Sequence, residues 1–363
     1  MLPPGLTGPG GHAIPPDVTK VLQVIAGAAH GGAELFFVRL VLALHRAGLD
    51  QRVVMRPDAE RARLLRDGGI EPVEVPFGSI LALKARAALR AELKTWRPDI
   101  ALTWMSRASW VMPKGAPVHA ARLGGYYPLK YYRNCDHMIG NTRGIVDWLR
   151  REGWPADRSH YLPNFVETKA QPAIDRASLD TPAAATVIVA LGRLHDDKAF
   201  DVLIRALPAV PGAIVWLAGD GPKEAELRAL AQAQGVADRI RWLGWRSDVP
   251  ALCAAADILC CPSRVEPLGN VILEGWAQGL PVVACASAGP AELLVDGENG
   301  RLVAMEDHGA LADALNSVIV DPALRDQVVA GGTRTLNENF TESAVVAAYL
   351  DFFERIKAKA RAA

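Results

Sequence analysis

Short apolar runs alternate with amphipathic segments along the first half of the chain, and this alternation predicts a repeated order of strand and helix. The apolar run 21–26 is followed by glycine residues and then by a segment, 33–47, with helical periodicity. Glycine-rich or polar turns separate the later segments in the same way. The other predicted strands of this half are 51–55, 72–75, 99–104, 118–123 and 136–139, and the other predicted helices are 61–68, 81–96 and 143–151.

The second half repeats the pattern and ends in a long helix. Its predicted strands are 185–191, 213–218, 240–243, 258–261 and 281–285, and its predicted helices are 198–207, 223–234, 248–256, 271–277 and 344–359. Continuous apolar strands that alternate with helices are typical of parallel sheets covered on both faces. The pattern therefore predicts an α/β protein with two Rossmann-like, doubly wound domains facing a central cleft, where ligands bind beyond the carboxyl ends of the strands.

The turn at 162–165 is the predicted boundary between the two domains. Residues 1–18 are rich in Pro and Gly and lack the basic start and apolar centre of a signal peptide, so we expect a disordered leader. Residues 19–165 would form the first domain and residues 166–340 the second. Residues 341–363 would form a helix that crosses back onto the first domain.

Two carboxylates, Glu266 and Glu274, flank a predicted turn at the start of a helix. Proline and glycine between them favour the turn, which places Glu266 in the loop and Glu274 about one turn into the helix. The backbone N–H groups of Leu268, Gly269 and Asn270 would then lie at the positive end of the helix dipole, where anions bind. This arrangement suits a sugar joined to a ribose through a diphosphate. Two solvated glutamates around an ordinary turn are the alternative.

Cationic and glycine residues follow other predicted strands. Arg193 and Lys198 come after the first strand of the second domain, where a planar guanidinium and a point charge would neutralise a diphosphate. An ordinary surface pair is the alternative. Gly31 and Gly32 follow the first strand of the chain and allow a ligand to approach the backbone closely, although a plain turn also explains them. The turn 219–222 is open to the same two interpretations.

Composition excludes several classes of protein. The 363 residues suffice for two domains with their own cores, and no run reaches eighteen apolar residues, so we predict no membrane-spanning helix. The five cysteines lack metal-ligand spacing, and their odd number does not suggest a disulfide framework, so we expect a reducing cytoplasm. A dinucleotide-type glycine motif after a strand is absent from the sequence, which argues against a nicotinamide dehydrogenase.

Charge is divided unequally although the formal net charge is zero. Residues 1–165 hold 22 Lys and Arg against 14 Asp and Glu, whereas residues 166–363 hold 18 against 26. A solvated helix face explains the basic segment 81–97, and a surface that meets an anionic membrane or an anionic acceptor is the alternative. Nucleic acid is not a predicted partner, because no aromatic residues are interleaved with these charges. The basic residues of this segment are Lys84, Arg86, Arg90, Lys94 and Arg97.

Taken together, six motifs follow one another in a specific order and spacing. They are Gly31-Gly-Ala-Glu34, Gly192-Arg-Leu…Lys198-Ala-Phe-Asp201, Gly219-Asp-Gly-Pro222, Ala256-Asp257…Pro262-Ser263, Glu266-Pro-Leu-Gly-Asn…Glu274 and Gly289-Pro-Ala-Glu292…Asp296-Gly297…Gly300. On these residues the chain resembles the retaining GT-B glycosyltransferases of family 4 (glycosyl transferases group 1), over roughly residues 20–350. Two positions depart from the pattern. Ala199 replaces a glycine after Lys198, and Arg122 stands where the family often carries a histidine.

The resemblance implies that the second domain holds a nucleotide-sugar donor, linked to UDP or GDP. Arg193 and Lys198 would bind the diphosphate, with help from the amides of residues 268–270. Glu274 would bind the ribose and Glu266 the transferred sugar. Glu266, Arg193 and Lys198 would therefore be the catalytic residues.

Further contacts follow from the same resemblance. The loop Gly244-Trp245-Arg246 would lie against the base of the donor. Gly31 and Gly32 would lie on the phosphate or acceptor side, and Arg122 would take over a contact with the sugar or phosphate. Such enzymes need no metal or other cofactor, since cationic side chains and a helix terminus stabilise the leaving diphosphate.

The function implied is transfer of a sugar, with retention, to a cell-envelope glycan or a lipid-linked acceptor. A lipopolysaccharide-type acceptor is favoured because the acceptor-side domain is basic, and the enzyme would be cytoplasmic and peripheral on the inner face of the cell membrane. A nucleotide-sugar epimerase of GT-B architecture and a non-catalytic sugar-nucleotide-binding protein are the alternatives. The charged set at Arg193, Lys198, Glu266 and Glu274 favours transfer.

Overall fold

Two parallel sheets organise the molecule. The computed structural model describes residues 19–28, 31–78, 82–115, 118–168 and 171–362, so the predicted leader 1–18 and Leu81 lie outside the described residues. The first sheet contains β1 Lys20–Ile25, β2 Asp50–Met55, β3 Val73–Glu74, β4 Ile100–Trp104, β5 His119–Leu123, β6 His137–Gly140 and β7 Ser159–Tyr161. The second contains β8 Thr186–Leu191, β9 Ala213–Ala218, β10 Ile240–Gly244, β11 Ile258–Cys261, β12 Val282–Cys285 and β13 Arg301–Val303.

Helices connect the strands and cover the sheets. Those of the first half are α1 Gly32–Arg46, α2 Ala59–Asp67, α3 Ala82–Thr95, α4 Met105–Val111 and α5 Arg143–Arg151. Those of the second half are α6 Phe200–Ala206, α7 Glu224–Ala233, α8 Val249–Ala255, α9 Asn270–Ala277, α10 Ala288–Leu293, α11 His308–Val320, α12 Pro322–Asn339 and α13 Glu342–Ala362. Among the described residues, no helix is both long enough and apolar enough to cross a membrane.

Both sheets have the strand order of a doubly wound Rossmann fold. The first runs β3-β2-β1-β4-β5-β6-β7 and the second β10-β9-β8-β11-β12-β13, with every pair parallel. The order reverses between β1 and β4 in the first sheet, and between β8 and β11 in the second. Ligands of such sheets bind at this reversal, beyond the carboxyl ends of the two strands. The two Rossmann-like units predicted from the alternation of strands and helices are confirmed.

Each sheet is buried by apolar side chains from the helices on its faces. The strand β1, for example, contributes five fully buried positions, and the whole of β9 is buried. The last helix, α13, packs on the first sheet's core, where Tyr349, Phe352 and Phe353 join side chains of α1 and β4. The chain thus returns to the first sheet after completing the second. The domain division at residue 165 stays a prediction, since β7 ends at Tyr161 and β8 begins at Thr186.

A histidine in β5, His119, is held in its neutral form by burial. The carbonyl of Asn134 lies 3.1 Å from His119 Nδ1, which therefore donates, and the Thr103 hydroxyl lies 2.9 Å from Nε2. Burial lowers the pKa of His119 from 6.5 to about 4. His160 on β7 behaves similarly, since burial and the neighbouring His137 lower its pKa to about 4.

We expect these histidines to make the fold sensitive to acid. Because the folded-state pKa lies below the unfolded value, stabilisation is complete above about pH 6.5 and is lost as the pH falls toward 4, with His119 contributing a slope of up to about 1.4 kcal/mol per pH unit. Urea unfolding at pH 7 and pH 5 measures this slope, and His119→Gln should reduce it. An equal slope in the variant would assign the acid sensitivity to other groups.

Candidate active site

The reversal point of the second sheet brings together the residues that the sequence places after β8 and β11. Lys198 lies in a short 3₁₀ turn after β8, and Glu266 lies in the loop between β11 and α9. Their side chains form an ion pair, with 2.5 Å between Lys198 Nζ and Glu266 Oε2. Both are largely shielded from solvent, at 23% and 12% exposure. A cation and a carboxylate are therefore fixed at the edge where a ligand of this fold binds.

The ion pair sets the charge state of the lysine. Burial alone would lower the pKa of the Lys198 ammonium, but the adjacent Glu266 carboxylate raises this pKa above its usual value. Lys198 is therefore a cation at neutral pH. The residue after it, Ala199, has φ 51° and lies in the left-handed region. An L-side chain is strained in this conformation, which would suit the glycine that the family resemblance implies after Lys198.

The loop before α9 differs in one respect from the anion site predicted from sequence. The helix begins at Asn270, one residue before its predicted start, with Gly269 before it at φ 91°. The Gly269 amide donates to Glu266 Oε1 at 3.2 Å, so the carboxylate already uses one of the three predicted amides. A phosphate that needs this amide would have to displace Glu266 Oε1. The loop thus fixes the position of the Glu266 carboxylate through its own backbone.

Arg193 occupies an exposed position in the loop after β8. It forms no ion pair with any other residue that the structure describes, in contrast to Lys198. The turn 219–222 is hydrogen-bonded to this loop, because the Leu194 amide donates to the Asp220 carbonyl at 2.7 Å. A Cβ on Gly219 would lie 1.9 Å from the carbonyl oxygen of Gly192. The glycine is therefore required by the contact between the two backbones.

Glu274 is the fifth residue of α9 and forms an ion pair with an arginine of the other domain. Arg39 on α1 approaches it at 3.6 Å, and the two side chains are 25% and 14% exposed. Burial raises the pKa of Glu274, and Arg39 opposes this shift. The carboxylate thus lies where α9 of the second domain meets α1 of the first. Its partner Arg39 was not predicted, since nothing in the spacing of the sequence links α1 to α9.

The predicted base-side loop follows β10. Gly244 ends this strand with φ 63°, and it forms a backbone bridge with Gly219. Trp245 is 57% exposed. Arg246 forms a two-pronged ion pair with Asp248, with N–O distances of 2.8 and 2.6 Å. The loop therefore offers an exposed ring at this edge, whereas the guanidinium is already engaged.

The glycine loop after β1 faces the start of α9 across the cleft. Glu34 holds this loop, because its carboxylate accepts the Ala28 amide at 2.8 Å. A Cβ on Gly31 would lie 2.3 Å from the Glu34 carboxylate, and one on Gly32 would lie 3.1 Å from Asn270 Nδ2. The absence of a side chain at Gly32 thus allows α1 to approach the start of α9 closely, whereas at Gly31 the neighbouring group is Glu34 of the same domain.

Arg122 does not reach the cleft as the resemblance implied. It is 1% exposed, and its guanidinium lies 4.6 Å from the ring centres of both Phe36 and Trp104. Its nitrogens donate to the Tyr349 hydroxyl and to Asn164 Oδ1. The expected contact with sugar or phosphate is therefore wrong for this arrangement, because the guanidinium is stacked and hydrogen-bonded inside the first domain.

Asn164 carries this network to the cleft. Its Nδ2 donates to Asn270 Oδ1 at 2.7 Å, so Arg122 acts on the start of α9 through one intervening side chain. Asn164 lies in the segment 162–165, which was predicted only as a domain boundary. Its position in the predicted boundary was the available signal in the sequence. In the structure its side chain is 2% exposed, and a buried polar group needs hydrogen-bond partners.

Known protein families match the two halves of the chain separately, in agreement with two domains. The family described as Glycosyltransferase Family 4 matches residues 30–170, and the family described as Glycosyl transferases group 1 matches residues 185–321. The lipopolysaccharide core biosynthesis glycosyltransferase LpsE of Rhizobium meliloti (strain 1021) is 40% identical over 88% of this chain and 95% of that protein. The glycosyltransferase LpsD of the same organism, also named for lipopolysaccharide core biosynthesis, is 36% identical over 94% of this chain and 99% of that protein.

Solved structures share the architecture. The Anabaena protein Alr3699/HepE, crystallised with UDP and glucose, superposes with a TM-score of 0.80 over 93% of this chain and 100% of that chain, at 23% identity. At this identity the likeness concerns the fold alone, and it confirms the GT-B arrangement of two Rossmann-like domains.

Proposed function

This chain belongs to the family 4 glycosyltransferases (glycosyl transferases group 1), and from that premise we propose that it transfers a sugar from a UDP- or GDP-linked donor to a lipopolysaccharide-type acceptor with retention. The observation that carries the proposal is the charged set at the reversal point of the second sheet. Lys198 and Glu266 are paired there, Arg193 is exposed beside them, and Glu274 stands one turn into α9.

The chemistry follows from these charges. In transfer, the bond between the anomeric carbon and the β-phosphate oxygen breaks, and a bond from the acceptor oxygen to that carbon forms on the same face. The acceptor's proton passes to the leaving phosphate, so no general base from the protein is needed. Arg193 and Lys198 stabilise the negative charge that develops on this phosphate. Because two cations serve this role, we propose that neither a metal nor another cofactor is required.

Glu266 and Glu274 accept hydrogen bonds from hydroxyl groups in this proposal. Glu266 is fixed by Lys198 Nζ and by the Gly269 amide, which orients it toward the transferred sugar. Glu274 binds the ribose. Trp245 lies against the base, and Gly31 and Gly32 leave room for the acceptor side to approach.

The acceptor is proposed from the named relatives and from charge. Two relatives with at least 36% identity are named for lipopolysaccharide core biosynthesis. Lipopolysaccharide cores carry anionic groups, and residues 1–165 have a surplus of eight positive charges, from 22 Lys and Arg against 14 Asp and Glu. Opposite charges favour the encounter of an anionic acceptor with this half.

The test is an assay of purified protein with UDP- and GDP-linked hexoses, with and without lipopolysaccharide truncated in its core. Transfer predicts that one donor releases its nucleotide diphosphate and that the acceptor gains the mass of one hexose. NMR of the product should show the same anomeric configuration as in the donor. A new epimeric nucleotide-sugar formed without acceptor would establish the epimerase instead. Binding without any turnover across the donor and acceptor panel would leave a sugar-nucleotide-binding protein.

We also propose that α3 docks the enzyme on the anionic inner face of the cell membrane. Its exposed residues Lys84, Arg90 and Lys94 lie on one side of the helix, while Ala85 and Leu89 are buried on the other. Next to the basic side chains, Leu83 is 75% exposed and Trp110 is 47% exposed, with the Arg86 guanidinium 5.4 Å from the Trp110 ring. Basic side chains beside exposed apolar ones suit an anionic lipid surface.

Replacing Lys84, Arg90 and Lys94 together by Gln should weaken binding to anionic liposomes at least about tenfold, because each basic residue near such a surface contributes about 1 kcal/mol. Sedimentation with and without anionic lipid, at low and high salt, measures this. A control replaces three exposed arginines of the second domain, Arg205, Arg228 and Arg334. If the two triple variants sediment alike, α3 is not the membrane contact.

A further inference from the structure

One motif singled out in the sequence, Gly289…Glu292, lies outside the donor-side residues described above. It forms α10, in the second domain, and Glu292 reaches across to the first domain. The Glu292 carboxylate accepts the Arg143 amide at 2.6 Å and the Gly144 amide at 2.9 Å. These are the first two residues of α5. A carboxylate of one domain therefore caps a helix of the other.

The contact satisfies a requirement of α5. The first N–H groups of a helix have no partner within it, and a negative charge is favoured at this positive end. Thr142 supplies a partner for one of these N–H groups, because the Ile145 amide donates to the Thr142 hydroxyl at 3.1 Å. The Glu292 carboxylate supplies partners for the Arg143 and Gly144 amides. Charge-assisted hydrogen bonds of this kind are shorter and stronger than neutral ones, which agrees with the 2.6 Å distance.

The surroundings leave room for this cap. A Cβ on Gly144 would lie 3.2 Å from the Tyr126 hydroxyl and 3.5 Å from Glu292 Oε2. The absence of a side chain at Gly144 thus lets the carboxylate and the tyrosine approach the same backbone. A Cβ at this position would be in ordinary contact with the carboxylate and would require the Tyr126 hydroxyl to shift by a few tenths of an ångström.

The same short helix is fixed to the loop that carries Glu266. The Gly289 amide donates to the Glu266 carbonyl at 2.7 Å. A Cβ on Gly289 would lie 2.4 Å from the Leu268 carbonyl oxygen, so α10 rests directly on this loop. One end of α10 is therefore tied to the donor-side loop and the other to α5 of the opposite domain.

We propose that Glu292 is a positioning residue that clasps the two domains together. The Glu292 clasp, formed by its carboxylate and the Arg143 and Gly144 amides, sets where the first domain lies relative to the donor-side loop. It touches no substrate. Its effect on turnover rests on the proposed transferase function, because transfer needs an acceptor held by one domain and a donor held by the other. The effect of the Glu292 clasp on domain separation does not rest on the proposed function.

The test compares Glu292→Gln with Glu298→Gln, an exposed glutamate of the same domain. Gln at 292 keeps the shape but loses the charge, and its amide nitrogen faces a backbone donor. Glu292→Ala is the second variant, and thermal unfolding checks that each protein is folded. All five native cysteines are buried, so Cys introduced at the exposed positions Ala91 and Ala233 takes spin labels selectively.

Pulsed EPR distances between the labels report domain separation with UDP or GDP present. Both Glu292 variants should shift or broaden the distribution toward longer distances, whereas Glu298→Gln should match the parent. Turnover should fall about tenfold or more in the Glu292 variants, while affinity for the bare nucleotide diphosphate changes less than about threefold. Distance distributions that superpose on the control would overturn the clasp. A parent enzyme without transferase activity would refute the proposed function, and the distances would still decide the clasp.

Discussion

Replacing Arg193 or Lys198 by alanine should lower turnover on the order of 10²-fold. Each variant removes a cation from the position where the leaving diphosphate gains charge. The two are expected to differ in stability. Arg193 is exposed, so its loss should leave unfolding unchanged. Lys198 is paired with Glu266, whose side chain is only 12% exposed, so its loss also leaves a shielded carboxylate without its cation.

Initial rates with the identified donor and acceptor, at saturating concentrations of both, measure this effect. Arg334→Ala, an exposed arginine on α12, is the matched control and should retain the parent's turnover. Parent activity should survive EDTA, because the proposal assigns charge stabilisation to side chains. Activity lost in EDTA and restored by a divalent ion would refute the metal-independent mechanism. If Arg193→Ala and Arg334→Ala have the same turnover, Arg193 has no part in catalysis.

The architecture was predictable because its signals are local. The predicted strands 213–218 and 258–261 and the helix 143–151 have the bounds of β9, β11 and α5. An apolar run or a helical period is visible within a short window of sequence. The helices α10, α11 and α12 were not predicted, and for α11 and α12, with 13 and 18 residues, length is not the reason. The short helix α4 and the strands β7 and β13 were also not predicted. They have seven, three and three residues, too few for a periodicity to emerge.

The placement of Glu266 in a loop and of Glu274 in a helix was predictable for a similar reason. Glu266 and Glu274 belong to one turn and one helix, so their placement follows from turn and helix-start preferences over nine residues. The contacts across the cleft were not predictable. Arg39 and Glu274 are 235 positions apart in sequence, and Glu292 meets amides of Arg143 and Gly144 149 and 148 positions away. Only the docking of the two domains brings these groups together.

Arg122 shows how a motif position misleads when its surroundings are unknown. The residue occupies the strand end where the resemblance implied a ligand contact, and its charge suits a phosphate. Two aromatic rings and two hydrogen-bond acceptors of the first domain surround it instead. Stacking and hydrogen bonding of this kind hold a guanidinium away from water. The charge thus orders Asn164, and through it Asn270, rather than binding a ligand.

Glu274→Ala should weaken binding of the bare nucleotide diphosphate by about 1–3 kcal/mol, up to about 10²-fold in affinity, with the fold intact. The reason is the loss of a carboxylate that accepts hydrogen bonds from the ribose. Glu274→Gln should have a smaller effect of the same sign, since the amide keeps one acceptor oxygen. Calorimetric titration at pH 7.5 measures both affinities.

The stability of these variants separates a binding residue from a structural one. Burial raises the pKa of Glu274, so its ionised form is costly to the folded protein, and Glu274→Gln should unfold at the same temperature as the parent or higher. A structural carboxylate held only by Arg39 would behave differently, and Arg39→Gln tests this. If Glu274→Gln and Arg39→Gln both lower the unfolding temperature while nucleotide affinity stays at the parent's value, the pair serves to join the domains. Weaker binding in Glu274→Gln without a loss of stability assigns the carboxylate to the ribose.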